Sequence, residues 1–197
     1  MRRNRTFIGP QGMGGLVSLW GASSLIKSRQ SGFVTLGVSA QGNTTINAVD
    51  MANSVLYYNG FYENIVAAGR PYYVLARVYL QSATNVRASM DTASGTDGVL
   101  YFTVIEFMPG VLKSVQRIAI GIANGTTNGT AAITEVNLAK TTLTWEGVEY
   151  AGTEVYGTTD PKNWLPYATI NSTTQVTLFR PGSANACTSY NQVVEFF

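Results

Sequence analysis

The sequence predicts an all-β protein: two tandem antiparallel β-sandwich domains behind a short extended amino-terminal segment. Three features predict it. The second half of the chain repeats the first, apolar residues mostly recur with a period of two, and turn-forming dipeptides punctuate the chain at short intervals. Residues 42–60 (GNTTINAVDMANSVLYYNG) read position for position against 129–147 (GTAAITEVNLAKTTLTWEG), and the copies close alike on TVIEF (103–107) and QVVEF (192–196). The offset is 86 at Gln30 and Gln116, 87 at Gly60 and Gly147, 90 at Leu75 and Leu165, and 89 at Glu106 and Glu195. Such drift places insertions in loops and leaves the elements intact.

Three segments follow. Residues 1–24 belong to neither copy, 25–109 form the first, and 110–197 form the second. The leading segment is glycine-rich, with Arg2, Arg3 and Arg5 near its start and an apolar cluster of Leu16, Leu19 and Trp20. The arginines suit phosphate, an acidic neighbour or plain solvation. The cluster around Trp20 is expected to anchor on a neighbouring subunit or partner, or to pack on the first domain of its own chain. The apolar run is too short and glycine-diluted for a cleavable signal, and no stretch is long and apolar enough for a membrane helix.

Strands are then expected over 33–38, 74–80, 84–88 and 98–107 in the first copy, and over 118–122 and 131–136 in the second. Gln41-Gly42, Asn59-Gly60, Ser94-Gly95, Asp97-Gly98, Asn124-Gly125, Asn128-Gly129 and Pro181-Gly182 are expected to supply turns. A single helical turn is expected at 50–53 and again at 137–140, too short to form a layer. The join Met108-Pro109-Gly110 is a tight turn, so the copies should sit close together in a fixed relation. Ile46, Val49 and Leu56, with Ile133, Val136 and Leu143, are expected in the cores, and Gly60 and Gly147 at turns closed to other residues.

The residue inventory argues against catalysis. Histidine is absent, which removes the usual general base, proton shuttle and imidazole ligand. The lone Cys187, in a loop-like context, has no base beside it and should be a buried or half-buried thiol. No phosphate-cradling glycine loop occurs, and no cofactor or metal is expected. Glu106 and Glu195 sit inside apolar strands. The period of two turns Glu106 away from Ile105 and Phe107, toward solvent or a neighbouring chain, and Lys27, Lys113 or Arg77 are the expected partners across a subunit contact. Charged residues make up only 12%, with a net charge of +2, which suits a chain held in an assembly and gives no argument for nucleic acid.

Where the copies differ most, over 61–73 and 149–164, the loops carry Tyr62, Tyr72, Tyr73, Tyr150, Tyr156 and Trp164. These aromatics either contact a glycan or protein partner or cap the open ends of the sandwiches.

The run KSVQR (113–117), then TAAITEVN (130–137), NSTTQV (171–176) and VVEF (193–196), resembles a small β-domain of structural proteins of tailed bacteriophages and prophages, tail-fibre-like virion proteins. The first copy keeps less of the pattern, with KSRQ (27–30), SATNV (82–86) and VIEF (104–107). The resemblance implies a non-enzymatic virion protein of the tail fibre, tail tip or baseplate, assembled in the bacterial host cytoplasm. Other virion proteins and further copies of the chain would be its partners. A head or collar decoration protein and a carbohydrate-binding receptor module for a host surface glycan are the alternatives.

Overall fold

The computed structural model describes residues 25–36, 40–63, 76–90, 98–151, 166–184 and 186–197. It is all-β. The first copy supplies β1 (Ile26–Thr35), β2 (Gln41–Thr45), β3 (Ser54–Glu63), β4 (Arg77–Ser82), β5 (Asn85–Ser89) and β6 (Gly98–Phe107). The second supplies β7 (Leu112–Ile122), β8 (Asn128–Ala132), β9 (Thr141–Ala151), β10 (Tyr167–Ser172), β11 (Gln175–Phe179) and β12 (Ala186–Phe196). The six strands of one copy therefore correspond, in order, to the six of the other.

The pairing corresponds as well. In the first copy β1-β6-β3 faces β2-β5-β4, and in the second β7-β12-β9 faces β8-β11-β10. Between each pair of sheets lies a core filled by alternate residues of the strands. Val34, Leu56, Val78, Val86, Leu100 and Phe102 fill the first, and Ile120, Val136, Val148, Val176, Leu178 and Val193 the second. Of the expected core set, Val49, Leu56, Ile133 and Val136 are buried, while Ile46 and Leu143 pack half-buried against the cores.

Local sequence chemistry explains the details. Asp50 and Asn137 cap the 3₁₀ turns Met51–Asn53 and Leu138–Lys140, each side chain accepting from the backbone N–H two residues on. Gln30 grips the backbone of Asn47 through both ends of its amide (3.0 and 2.7 Å), and Gln116 grips Thr134 at the same two distances. The join is the expected turn, with Gly110 at φ +84° and Val111 N–H donating to Met108 O.

Several expectations are corrected, and Gln41-Gly42 and Asn128-Gly129 lie within β2 and β8, not in turns. Gly60 and Gly147 do have positive φ (+118° and +131°), but they sit in β-bulges inside β3 and β9, not in turns. Cys187 lies in β12, where it is buried in the core, not in a loop. Strand β8 ends at Ala132, because the next backbone N–H, of Ile133, leaves the ladder to reach Thr174 O.

The sheets are also not four separate layers. Strand β4 of the first copy meets β9 of the second at Arg77 and Gly147, giving a continuous six-stranded sheet, β2-β5-β4-β9-β12-β7. A small third cluster of Val55, Leu112 and Val194, flanked by Tyr57, Phe107 and Phe196, fills the angle between the copies.

Candidate functional site: the junction between the copies

A group of buried and half-buried polar side chains lies where the copies meet. In β9 the bulge makes Glu146 the extra residue, since Trp145 pairs with Asn191 and Gly147 with Tyr190. A bulge re-aims the side chain it carries. Glu146 lines a cleft of about 220 Å³ with Arg77 and Tyr79 from β4, Arg117, Ile118 and Ala119 from β7, and Tyr190 from β12. Burial pushes its carboxyl up to about 7, against the pull of Arg117 and Arg77, and its Oε1 has no hydrogen-bond partner. Burial likewise lowers Arg117, with Glu146 acting in the opposite sense.

Around this carboxyl the two copies are tied by side chains of the second that reach the backbone of the first. Arg117 Nη2 donates to Met51 O (3.2 Å) and Ser54 O (3.0 Å). The fully buried Gln192 accepts from Leu56 N–H (3.2 Å) and donates to Leu56 O (2.6 Å) and to Thr144 Oγ1 (3.2 Å). Its amide thereby satisfies a backbone donor and acceptor on the outer edge of β3 that would otherwise be buried unpaired. The rings of Tyr58 and Trp145 meet at 5.3 Å, and Phe107 meets Phe196 edge-on at 6.1 Å.

At the rim, Arg77 crosses from β4. Its guanidinium lies between the rings of Tyr79 and Tyr190, 4.1 and 3.9 Å from their centroids. Its Nε donates to Ser89 Oγ (2.9 Å) and lies 3.1 Å from Glu149 Oε1. Glu149 also accepts from Ser89 Oγ (2.6 Å) and Tyr190 OH (2.7 Å). Burial, with the hydrogen bond to Glu149, pushes the Tyr190 hydroxyl up to about 12. Gly147 is what lets Arg77 approach: a Cβ there would stand 2.3 Å from Ala76 O and 2.5 Å from Arg77 Cα.

The two glutamates singled out in the sequence have a different environment from the one expected. Glu106 and Glu195 are buried, not turned to solvent, and their partners lie within the same chain and the same copy. Lys27 and Lys113 are those partners, at 2.8 and 2.9 Å, whereas Arg77 serves Glu149. Glu106 also accepts from Ser28 Oγ and Asp50 N–H, and Glu195 from Asn137 N–H. Burial alone would raise Glu106, but the bonds from Lys27, Asp50 and Ser28 outweigh it and hold its carboxyl below the ordinary range. Glu195 is held low chiefly by Asn137 N–H and Lys113. Each carboxylate thus ties the start of its copy's first strand to its 3₁₀ turn.

Of the other expected contact residues, Tyr62 is exposed at the end of β3 and Tyr150 falls in β9, its side chain outside the described residues. Arg2, Arg3, Arg5, Leu16, Leu19, Trp20, Tyr72, Tyr73, Tyr156 and Trp164 also lie outside the described residues. Sequence reasoning passed over Arg117, Glu146, Glu149 and Gln192. A signal for them existed: their counterparts in the first copy are Ser31, Asn59, Tyr62 and Thr103, all uncharged, whereas three of the four in the second copy are charged and the fourth is an amide.

One near-neutral buried carboxyl beside two arginines is the kind of group catalysis uses. The cleft is smaller, however, than the roughly 300–1,000 Å³ of ordinary ligand sites. Of its arginines, Arg117 is engaged with the first copy's backbone and Arg77 with the rings of Tyr79 and Tyr190. The fold and this site define a class: an all-β protein of two like halves, joined edge to edge through a buried polar junction. Compared with protein-family models, with curated proteins and with solved structures, the chain matches none. Among the described residues no helix is long and apolar enough to cross a membrane, and no group of three or more His, Cys, Asp or Glu could hold a metal ion.

Proposed function

We propose that this chain is a non-enzymatic structural building block of a tailed-bacteriophage particle, in the tail fibre, tail tip or baseplate. One observation carries the building-block reading. The half-buried Arg117 and the buried Glu146 and Gln192 gather at the surface where one copy meets the other. Buried polar groups are costly unless paired, so their concentration at a joint marks the joint as what the sequence specifies most tightly. The assignment to a phage particle draws its support from the sequence resemblance of the KSVQR, TAAITEVN, NSTTQV and VVEF runs.

Residues 1–24 anchor the chain in this reading, and the copies project from the anchor. Immunogold electron microscopy of particles with antibody against the folded chain tests it. Label on tails is expected, and chains lacking residues 2–24 should fold yet fail to enter particles. Uniform label on heads would replace the tail assignment with a decoration protein. Particles free of label would overturn the virion assignment. Glycan binding lost on substituting Tyr72, Tyr73 or Trp164 would instead establish a receptor module.

A further inference from the structure

We infer that the junction cleft binds a short-chain carboxylate anion, its head group bridging Arg117 Nε and the carboxyl of Glu146. Two atoms carry this. Glu146 Oε1 and Arg117 Nε are buried, belong to side chains lining the same cleft, and have no hydrogen-bond partner. Buried donors and acceptors are rarely left so, and Glu146 is only 4% exposed. Nor do the two serve each other. The ion pairs among the described residues are Lys27 with Glu106, Arg77 with Glu149 and Lys113 with Glu195.

The fold does not impose this arrangement. At the equivalent positions of the first copy, Ser31, Asn59 and Thr103 replace Arg117, Glu146 and Gln192. Those three bond one another, Ser31 Oγ with Thr103 Oγ1 at 2.9 Å and Asn59 Nδ2 to Thr103 Oγ1 at 2.8 Å. The second copy instead lines one cleft with a donor and an acid whose bonds are unmade.

The ligand's chemistry follows from the surroundings. Arg77 and Tyr79 of β4, Arg117 of β7 and Tyr190 of β12 stand around Glu146. Glu149 lies behind Arg77 at 3.1 Å, Arg87 is beside Tyr79 in register, and the Tyr58 ring packs on the neighbouring Trp145. Glu149 answers the charge of Arg77, whereas among the described residues no carboxylate pairs with Arg117. Below about pH 7 Glu146 is protonated, so the cleft holds surplus positive charge and an O–H donor. A carboxylate meets both needs. One oxygen accepts from Arg117 Nε–H and the other from the Glu146 O–H. Ile118, Ala119 and the tyrosine rings give a short alkyl chain an apolar wall. The volume of about 220 Å³ confines the guest to a few heavy atoms, below the size of ordinary ligands. Ionised Glu146 would repel the same anion, so above pH 7 binding takes up a proton. The inference stands apart from the phage reading.

Isothermal titration calorimetry of the full chain with sodium propionate tests it, with sodium chloride as the inorganic control. Saturable binding is expected at pH 6, its affinity falling roughly tenfold per pH unit above pH 7. Glu146→Gln keeps a donor in place and should retain binding while losing that pH dependence. Arg117→Lys keeps the charge without Nε and should weaken binding at least about tenfold. Ala119→Leu should abolish it by filling the cleft from an exposed position, with the melting curve unchanged. No saturable binding at pH 6 would overturn the inference. So would binding untouched by Ala119→Leu, a pH dependence that survives Glu146→Gln, or chloride binding as well as propionate.

Discussion

At the scale of single residues, three buried acids behave in opposite ways, and their protonation sets the pH response. Glu146 titrates at about 7 in the folded chain against 4.5 as the ordinary value. Its folded pKa is raised, so ionisation costs stability as pH climbs from 4.5 through 7, by about 3 kcal/mol at the upper end. Glu106 and Glu195 are held low, so what they contribute is complete above 4.5 and lost as pH falls below it. Thermal melts should therefore show greatest stability near pH 5 and a decline toward pH 8. Glu146→Gln should flatten that decline while leaving the acid limb intact. Gln192→Ala should cost roughly 2–5 kcal/mol in urea unfolding, because Leu56 N–H and C=O would stay buried without partners. Little of this was legible in the sequence. Lys27 and Lys113 were recognisable as partners of Glu106 and Glu195, but burial of those acids was not. Period-two reasoning separates two faces of a strand and cannot say which one faces the core.

At the scale of elements, Gln41-Gly42 and Asn128-Gly129, expected as turns, lie inside β2 and β8, whereas β5, β6, the 3₁₀ turns and the Met108-Pro109-Gly110 join followed from local chemistry and could be read from one sequence. The bulges could not be. Asn59-Gly60 looks like a hairpin turn, and only the pairing of β3 with β6 shows that both residues stay in the strand. The two equivalent glycines therefore predict unequal costs. Gly60→Ala should lose about 1–2 kcal/mol, the cost of holding a residue with a Cβ at positive φ. Gly147→Ala bears that strain and also forces β4 away, at roughly 3 kcal/mol or more. Paired denaturation curves check the difference, and equal losses would show that β4 does not rest on Gly147.

At the scale of the whole molecule, the duplication does more than build one sandwich twice. Positions shared by the copies make cores, caps and clamps. Positions that differ inside the strands, Ser31/Arg117, Asn59/Glu146 and Thr103/Gln192, make the joint. The sequence reading placed the meaningful differences in the loops, because an insertion is visible there and a single polar residue on the outer face of a strand is not. It takes the six-stranded sheet to bring those residues together. If the joint unites the copies, the chain melts as one unit. Differential scanning calorimetry of the full chain tests this most directly. A single transition whose calorimetric and van't Hoff enthalpies agree is expected, splitting into two when Gly147→Ala or Gln192→Ala opens the junction. Two independent transitions in the unaltered chain would contradict it.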